Sequence, residues 1–113
     1  MAAPIIDAAT FAELQTSAGV DFVGELVDTF LEEAPIMLAE MKSALAAGRA
    51  ETFRRAAHSL KSNAHTFGAL LLGATARELE LGGLAAGRQP GALDRLDQDY
   101  GRARAALMGL RDG

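Results

Sequence analysis

The sequence predicts an all-α fold: an antiparallel, up-and-down four-helix bundle with a short additional N-terminal helix. Alanine and leucine, both strong helix formers, supply 24 and 16 of the 113 residues. Apolar residues recur at intervals of three or four along most of the chain, as they do on the buried face of a helix. The connections between these stretches are about two to six residues long, which favours antiparallel neighbours. We expect one domain over residues 1–113, with its core over about 20–111.

The first two predicted helices differ in length and in role. The first follows the cap residue Asp7 over about 8–17 and is expected to lie as a lid on the core. The second runs over about 21–47, and Pro35 is expected to kink or locally break it, because proline lacks the backbone N–H that a helix needs. Its apolar stripe, which is expected to face the core, comprises Val23, Val27, Phe30, Ala34, Met37, Met41 and Leu45.

Three further helices are predicted over about 51–67, 69–87 and 92–110. Gly68 is expected to end the third helix, and Gly82 with Gly83 to weaken the fourth, because glycine disfavours a helix interior. All five helices are needed to cover one core, which predicts a monomer.

Composition and charge exclude several classes of protein. The formal net charge of −4 opposes binding to nucleic acid, which depends on positive charge. No apolar run approaches the roughly 20 residues of a membrane span, and the N-terminus lacks the basic region of a signal peptide. With no cysteine, the chain has neither disulfides nor thiolate chemistry, and a cytoplasmic location is the default expectation.

The third helix carries an informative polar face opposite its apolar stripe. At about 100° per residue, five of its side chains fall within about 60° of one line along the helix. These are Arg54, His58, Lys61, Ser62 and His65. Every amphipathic helix has a polar face, so a plain solvated surface is the simplest alternative. However, residues 49–65 carry four basic residues against a single glutamate, in a chain of negative net charge.

A histidine among cations predicts a side chain that handles an anion, and phosphoryl transfer is the chemistry that fits. A neutral imidazole has one nitrogen available as a nucleophile at pH 7. A phosphoryl group on Nε2 would add negative charge, which Lys61 and the neighbouring arginines would stabilise. The other nitrogen, Nδ1, needs an acceptor that fixes the tautomer, and a carboxylate on an adjacent helix would serve.

The segment 58–62, His-Ser-Leu-Lys-Ser, followed by Gly68, resembles the His-x-Leu-Lys-Gly core of histidine-containing phosphotransfer (HPt) domains. Segment 30–35 resembles the second helix of that family, and segment 76–80 resembles the fourth. The resemblance covers about residues 20–85. It implies a four-helix bundle whose phosphorylatable histidine is exposed midway along one helix.

The resemblance also implies roles for individual residues. His58 resembles the phosphoacceptor, Lys61 an exposed cation that neutralises the phosphoryl group, and Glu80 a side chain that bonds the histidine ring and orients it. Gly68 matches the glycine that closes the motif helix, where close packing against the next helix is needed. Ser62 departs from the family, which has glycine there, and it narrows the access of a partner by a hydroxymethyl group.

The implied function is that of a phosphorelay intermediate in two-component signalling. A receiver domain carrying phospho-aspartate would donate the phosphoryl group to His58, and another receiver would accept it. The chain itself would have no cofactor and no ATP-dependent kinase activity, and a hybrid sensor histidine kinase is a further candidate partner. Arg54, Ser62 and His65, with small and apolar residues of the second helix, are expected to contact the partner. For His65, a plain surface position is the alternative.

A non-catalytic helical adaptor that binds a receiver or kinase domain is the main alternative function. No metal site is predicted, since His58 and His65 are too far apart to share an ion and no cysteine or HExxH motif accompanies them. Neither a kinase nor a hydrolase is predicted, because a phosphate-binding glycine loop and a nucleophile elbow are missing. We expect a free-standing protein rather than part of a hybrid kinase, since the sequence begins with Met1 and ends soon after its last helix.

Overall fold

Five helices and no strand are found in residues 5–112, the part of the chain that the computed structural model describes. The helices are α1 (Ala8–Ala18), α2 (Val20–Ala47), α3 (Ala50–Thr66), α4 (Leu70–Gly87) and α5 (Ala92–Asp112). The all-α prediction is confirmed, and each predicted boundary lies within about two residues of the observed one. The outermost residues of the predicted domain, 1–4 and 113, lie outside the described part.

The helices α2 to α5 form a four-helix bundle in which each helix packs against the next one along the chain. The last helix, α5, also contacts α2, while α1 packs on α2 outside the bundle. The largest fully buried side chains are Phe53, Met41, Leu60, Leu72, Leu96 and Leu107. In α1, Phe11 is buried in the same core, so α1 covers part of the core as predicted.

The start of α1 is fixed by Asp7, but not through a bond from its carboxylate to the helix backbone. Asp7 occupies the N-cap position, and its carboxylate accepts a hydrogen bond from the Thr10 hydroxyl. The backbone N–H of Asp7 donates to the carbonyl oxygen of Gly68 at 2.7 Å. The beginning of α1 is therefore anchored to the turn that follows α3.

Helix α2 runs through Pro35 without the local break that the sequence predicts. Pro35 is exposed, and its missing N–H leaves the carbonyl of Leu31, four residues earlier, without its usual helical partner. The Tyr100 hydroxyl of α5 donates a hydrogen bond to that carbonyl oxygen at 3.4 Å. A neighbouring helix thus satisfies the group that the proline leaves free, and the helix continues.

The buried stripe of α2 is turned slightly from the predicted one. Leu38 and Ala44 are buried, whereas Met37 and Leu45 are only partly buried at its edges. Met37 lies at the boundary with α3, where the Asn63 side-chain amide approaches its sulfur at 3.8 Å. The difference arises because α2 packs against both α3 and α5, so its buried side faces the space between these two helices.

The predicted weak point of α4 lies at Gly83. This residue has φ of 65° and ψ of −152°, a conformation far from that of a helix. The short helical stretch that follows brings Gly87 against the core, where a β-carbon would lie 2.8 Å from the Phe53 ring. The expectation that glycine interrupts this helix is confirmed.

Candidate functional site

The polar face of α3 is open to solvent in the middle of the helix. The His58 side chain is 54% exposed, and Arg54, Ser62 and His65 are exposed as well. The buried residues of the same helix lie on the opposite side and comprise Phe53, Ala56, Ala57, Leu60 and Ala64. The helical periodicity read from the sequence therefore places these side chains correctly.

The His58 ring contacts a carboxylate of the next helix. Glu80, on α4, has a side chain that is only 11% exposed. His58 Nδ1 lies 2.6 Å from Glu80 Oε2, and the Lys61 ammonium donates a hydrogen bond to Glu80 Oε1 at 2.7 Å. One carboxylate thus bonds both the imidazole and the cation that lies one turn further along α3.

These contacts determine the charge of Glu80. The hydrogen bond from Lys61 is the largest influence and lowers the pKa of Glu80, burial opposes it, and the contact with His58 lowers the pKa further. Glu80 is therefore a carboxylate at neutral pH and can only accept hydrogen bonds.

An acceptor beside Nδ1 selects the tautomer of a neutral His58 ring. The proton resides on Nδ1, which donates to Glu80, and Nε2 is left without a proton. Because more than half of the side chain is exposed, a group that approaches from solvent can reach the ring. The arrangement leaves Nε2 as a nucleophilic nitrogen, while the Glu80 carboxylate holds the ring through Nδ1.

Lys61 is less exposed than the sequence predicts. Its side chain is 21% exposed, because the ammonium turns towards Glu80 instead of extending into solvent. The reason is the short distance between α3 and α4, which brings a partly buried carboxylate within reach of the lysine. Its positive charge therefore lies beside His58 on the α4 side of the ring.

Arg54, one turn before His58, is bound to a glutamate of its own helix. Its Nε donates to Glu51 Oε2 at 3.2 Å, and a terminal nitrogen donates to the other carboxylate oxygen. The hydrogen bond raises the pKa of Arg54 and lowers that of Glu51. Both side chains are about half exposed or more, so water and salt weaken the pair.

His65 lies against α4 rather than projecting freely from α3. A β-carbon at Gly73, which is buried, would overlap atoms of the His65 ring. Gly73 is a residue that the sequence analysis did not single out. A glycine inside the apolar stretch of a predicted helix is a signal for such a close approach and could have indicated it.

Comparison with known proteins identifies the family. A family model described as Hpt domain matches residues 25–106, most of the chain. The chain belongs to the Hpt domain family. A similar solved structure is that of histidine-containing phosphotransfer protein B (HptB) from Pseudomonas aeruginosa PAO1, with 29% sequence identity and a TM-score of 0.85. The similarity covers 98% of this chain and 97% of that one. A search of curated proteins finds no match.

Membership in the family confirms the functional class predicted from the residues. This Hpt domain has a histidine phosphotransfer role in a phosphorelay, and the adaptor alternative is not favoured. Hpt proteins are phosphotransfer intermediates rather than kinases, and they interact with receiver domains in two-component signalling.

In this Hpt domain, Gly68 packs closely against the start of α1. Its φ of 77° is a left-handed conformation that favours glycine. A β-carbon there would lie 2.9 Å from the Asp7 carbonyl oxygen and 3.0 Å from the Thr10 β-carbon. Close packing between α3 and α4 occurs at Gly73, against the His65 ring.

Within residues 5–112, no group of three or more His, Cys, Asp or Glu side chains is arranged to hold a metal ion. In the same part of the chain, no helix is both long and apolar enough to cross a membrane.

Proposed function

We propose that His58 Nε2 is the phosphoacceptor of this Hpt domain. It accepts a phosphoryl group from the phospho-aspartate of one receiver domain and passes it to the aspartate of another. The observation that carries this proposal is the contact between Glu80 and Nδ1, because it directs the ring proton to Nδ1 and leaves Nε2 free. The exposure of the ring supports it, since the aspartate of a folded receiver must approach closely.

The transfer is a substitution at phosphorus. The Nε2 lone pair attacks in line with the bond between phosphorus and the aspartate oxygen, the N–P bond forms, and the P–O bond breaks. The electron pair of the broken bond stays with the aspartate carboxylate. The ring becomes positively charged and keeps its proton on Nδ1, where the Glu80 carboxylate stabilises it. Transfer to the second receiver reverses these steps, so the ring neither gains nor loses a proton.

Glu80 and Lys61 have distinct parts in this proposal. Glu80 orients the ring and balances the charge that develops on it. Lys61 contributes positive charge one turn from His58, and its ammonium offsets the charge of Glu80, which would otherwise repel an incoming phosphoryl group. We assign Lys61 to phosphoryl stabilisation from the α4 side of the ring.

The receiver is proposed to dock over α3 and the adjoining part of α2. Arg54, Ser62 and His65 surround His58 and would form polar contacts. Helix α2, which packs on α3, exposes Ile36, an apolar side chain of the kind that occupies the centre of a transient interface. Ser62 is small enough to leave the ring accessible.

We further propose where this Hpt domain acts and with which partner. A hybrid sensor histidine kinase is a candidate source of one of the receivers. We propose that residues 1–113 form one domain that acts as a monomer, because all of its helices contribute to a single core. A cytoplasmic location agrees with the absence of cysteine. The phosphoryl group is proposed to come from other proteins, with no ATP-dependent activity in this chain.

The test is transfer from purified, pre-phosphorylated receiver domains. Wild type is expected to acquire acid-labile, base-stable phosphate, and His58→Gln is expected to acquire none while it still binds the receiver. His65→Gln removes the other histidine of the chain; because His65 is proposed to contact the receiver, this variant is expected to bind the receiver more weakly but still to acquire phosphate. Equal labelling of wild type and His58→Gln would contradict the proposal, as would no labelling by any receiver that demonstrably binds.

A further inference from the structure

The charge around His58 changes when it carries a phosphoryl group. In the unphosphorylated site, the Glu80 carboxylate is matched by the Lys61 ammonium. A phosphoryl group adds about 1.5 to 2 negative charges at neutral pH, and the ring contributes a single positive charge in return. Lys61 is already bonded to Glu80 and is only 21% exposed, so the solvent side of the new group still lacks a partner.

Arg54 is the cation placed to fill that position. It precedes His58 by four residues, so the two side chains lie one turn apart on the same face of α3. Its guanidinium is half exposed and is held by Glu51, one turn before it. The pKa of Arg54 is raised mainly by its hydrogen bond to Glu51, and the charge of Glu80 raises it further.

We propose that Arg54 is a phosphoryl-binding residue that exchanges partners. In the unphosphorylated protein it binds Glu51, and after phosphorylation its guanidinium leaves Glu51 and binds the phosphoryl oxygens on His58. This inference rests on the proposed function, since it requires His58 as the phosphoacceptor.

Two physical facts favour the exchange. The Glu51–Arg54 pair is exposed and therefore weak, so little is lost when it breaks. A phosphoryl group presents more charge than a carboxylate and offers oxygens that a guanidinium can bind through two parallel hydrogen bonds. Glu51 acts as a competitor that keeps Arg54 away from the ring until phosphate arrives.

The experiment uses the whole protein without a receiver, so that contacts with a partner cannot contribute. His58 is phosphorylated with phosphoramidate, a small phosphodonor, and the phosphoryl group is titrated by phosphorus NMR. Arg54→Gln is expected to raise the proton affinity of that group about three- to tenfold, because a nearby cation favours the charged form. The matched control is Arg55→Gln, which removes the same charge from a residue on the side of α3 that faces Glu40 of α2.

Two further readouts are specific to the exchange. The Arg54 Nε–H resonance is expected to shift when phosphate is added to His58, whereas that of Arg55 stays in place. Glu51→Gln is expected to lower the proton affinity of the phosphoryl group, and to do so more strongly when Arg54 is present than in an Arg54→Gln background. Equal titrations for Arg54→Gln and Arg55→Gln, or an Arg54 resonance that does not respond, would overturn this inference and leave the proposed function intact. Failure of His58 to take phosphate from phosphoramidate and from any receiver that binds would overturn both.

Discussion

Glu80 Oε2 and His58 Nδ1 lie 2.6 Å apart, and this contact determines which nitrogen of the ring is available for chemistry. The two residues are on different helices, so the contact depends on the register between α3 and α4. A second contact, between His65 and Gly73, shares that register, because seven residues forward along α3 correspond to seven residues back along α4. The antiparallel packing of these two helices therefore builds the site.

Removing the Glu80 carboxylate is expected to change the tautomer of His58 while the protein stays folded. We expect Glu80→Ala to slow phosphotransfer about tenfold, a magnitude typical of losing a residue that orients a functional ring. Nitrogen NMR of the ring should show less of the Nδ1–H form and more of the Nε2–H form. The matched control is Glu78→Ala, on the same helix, whose carboxylate is exposed and pairs with Arg95. Unaltered tautomer populations in Glu80→Ala would contradict the orienting role.

The lowered pKa of Glu80 predicts that the stability of the protein depends on pH in the acid range. The pKa of Glu80 is lower in the folded protein than in the unfolded chain, so its ionised form favours folding. This contribution is complete above the usual glutamate pKa, and it is lost as the pH falls through the lowered value. Urea unfolding at a series of pH values should show wild type losing free energy of unfolding more steeply below about pH 4.5 than Glu80→Gln does. If the free energies of unfolding of wild type and Glu80→Gln fall in parallel with pH, the pKa of Glu80 is not lowered by folding.

Lys61→Ala is expected to slow transfer and to cost about 1 kcal/mol of stability, since it leaves a partly buried carboxylate with one partner fewer. Stopped-flow transfer from a phosphorylated receiver and thermal unfolding measure the two effects. The control is Lys42→Ala, which breaks an exposed pair with Asp97 on another part of the bundle. If both variants transfer at the wild-type rate, Lys61 has no part in the mechanism.

The sequence was sufficient for the helices and for the histidine, because both depend on local information. Helical periodicity placed His58 on the exposed face, and the family resemblance indicated Glu80 as its partner. The exposure of Lys61 and the position of His65 were not predictable from one helix, since both depend on how closely α4 approaches. Pro35 shows the same limit, because the hydroxyl that bonds the free Leu31 carbonyl belongs to α5.

The contact between His65 and Gly73 predicts that two substitutions are not additive. Gly73→Ala alone should destabilise the protein by about 1–2 kcal/mol, because its methyl group would displace the His65 ring. In a His65→Ala background, the same change should stabilise it by about 0.5–1 kcal/mol, because alanine favours a helix more than glycine does. The free energies of unfolding of wild type, the two single variants and the double variant, measured in denaturant, give the coupling between the two substitutions. Additive effects would show that the ring does not occupy the space above Gly73.

The hydrogen bond from Tyr100 to Leu31 predicts a link between a proline in α2 and a tyrosine in α5. Tyr100→Phe should cost about 1 kcal/mol in wild type, since the Leu31 carbonyl then has neither a helical donor nor the hydroxyl. In Pro35→Ala, alanine restores the N–H that reaches Leu31, so the same substitution should cost less.

Equilibrium unfolding of wild type, both single variants and the double variant measures this coupling. Pro35→Ala alone is also expected to stabilise the protein, because it places a good helix former in an exposed helical position. An equal cost for Tyr100→Phe in both backgrounds would mean that the hydroxyl does not replace the missing helical bond. The continuity of α2 at Pro35 would then have to come from packing alone.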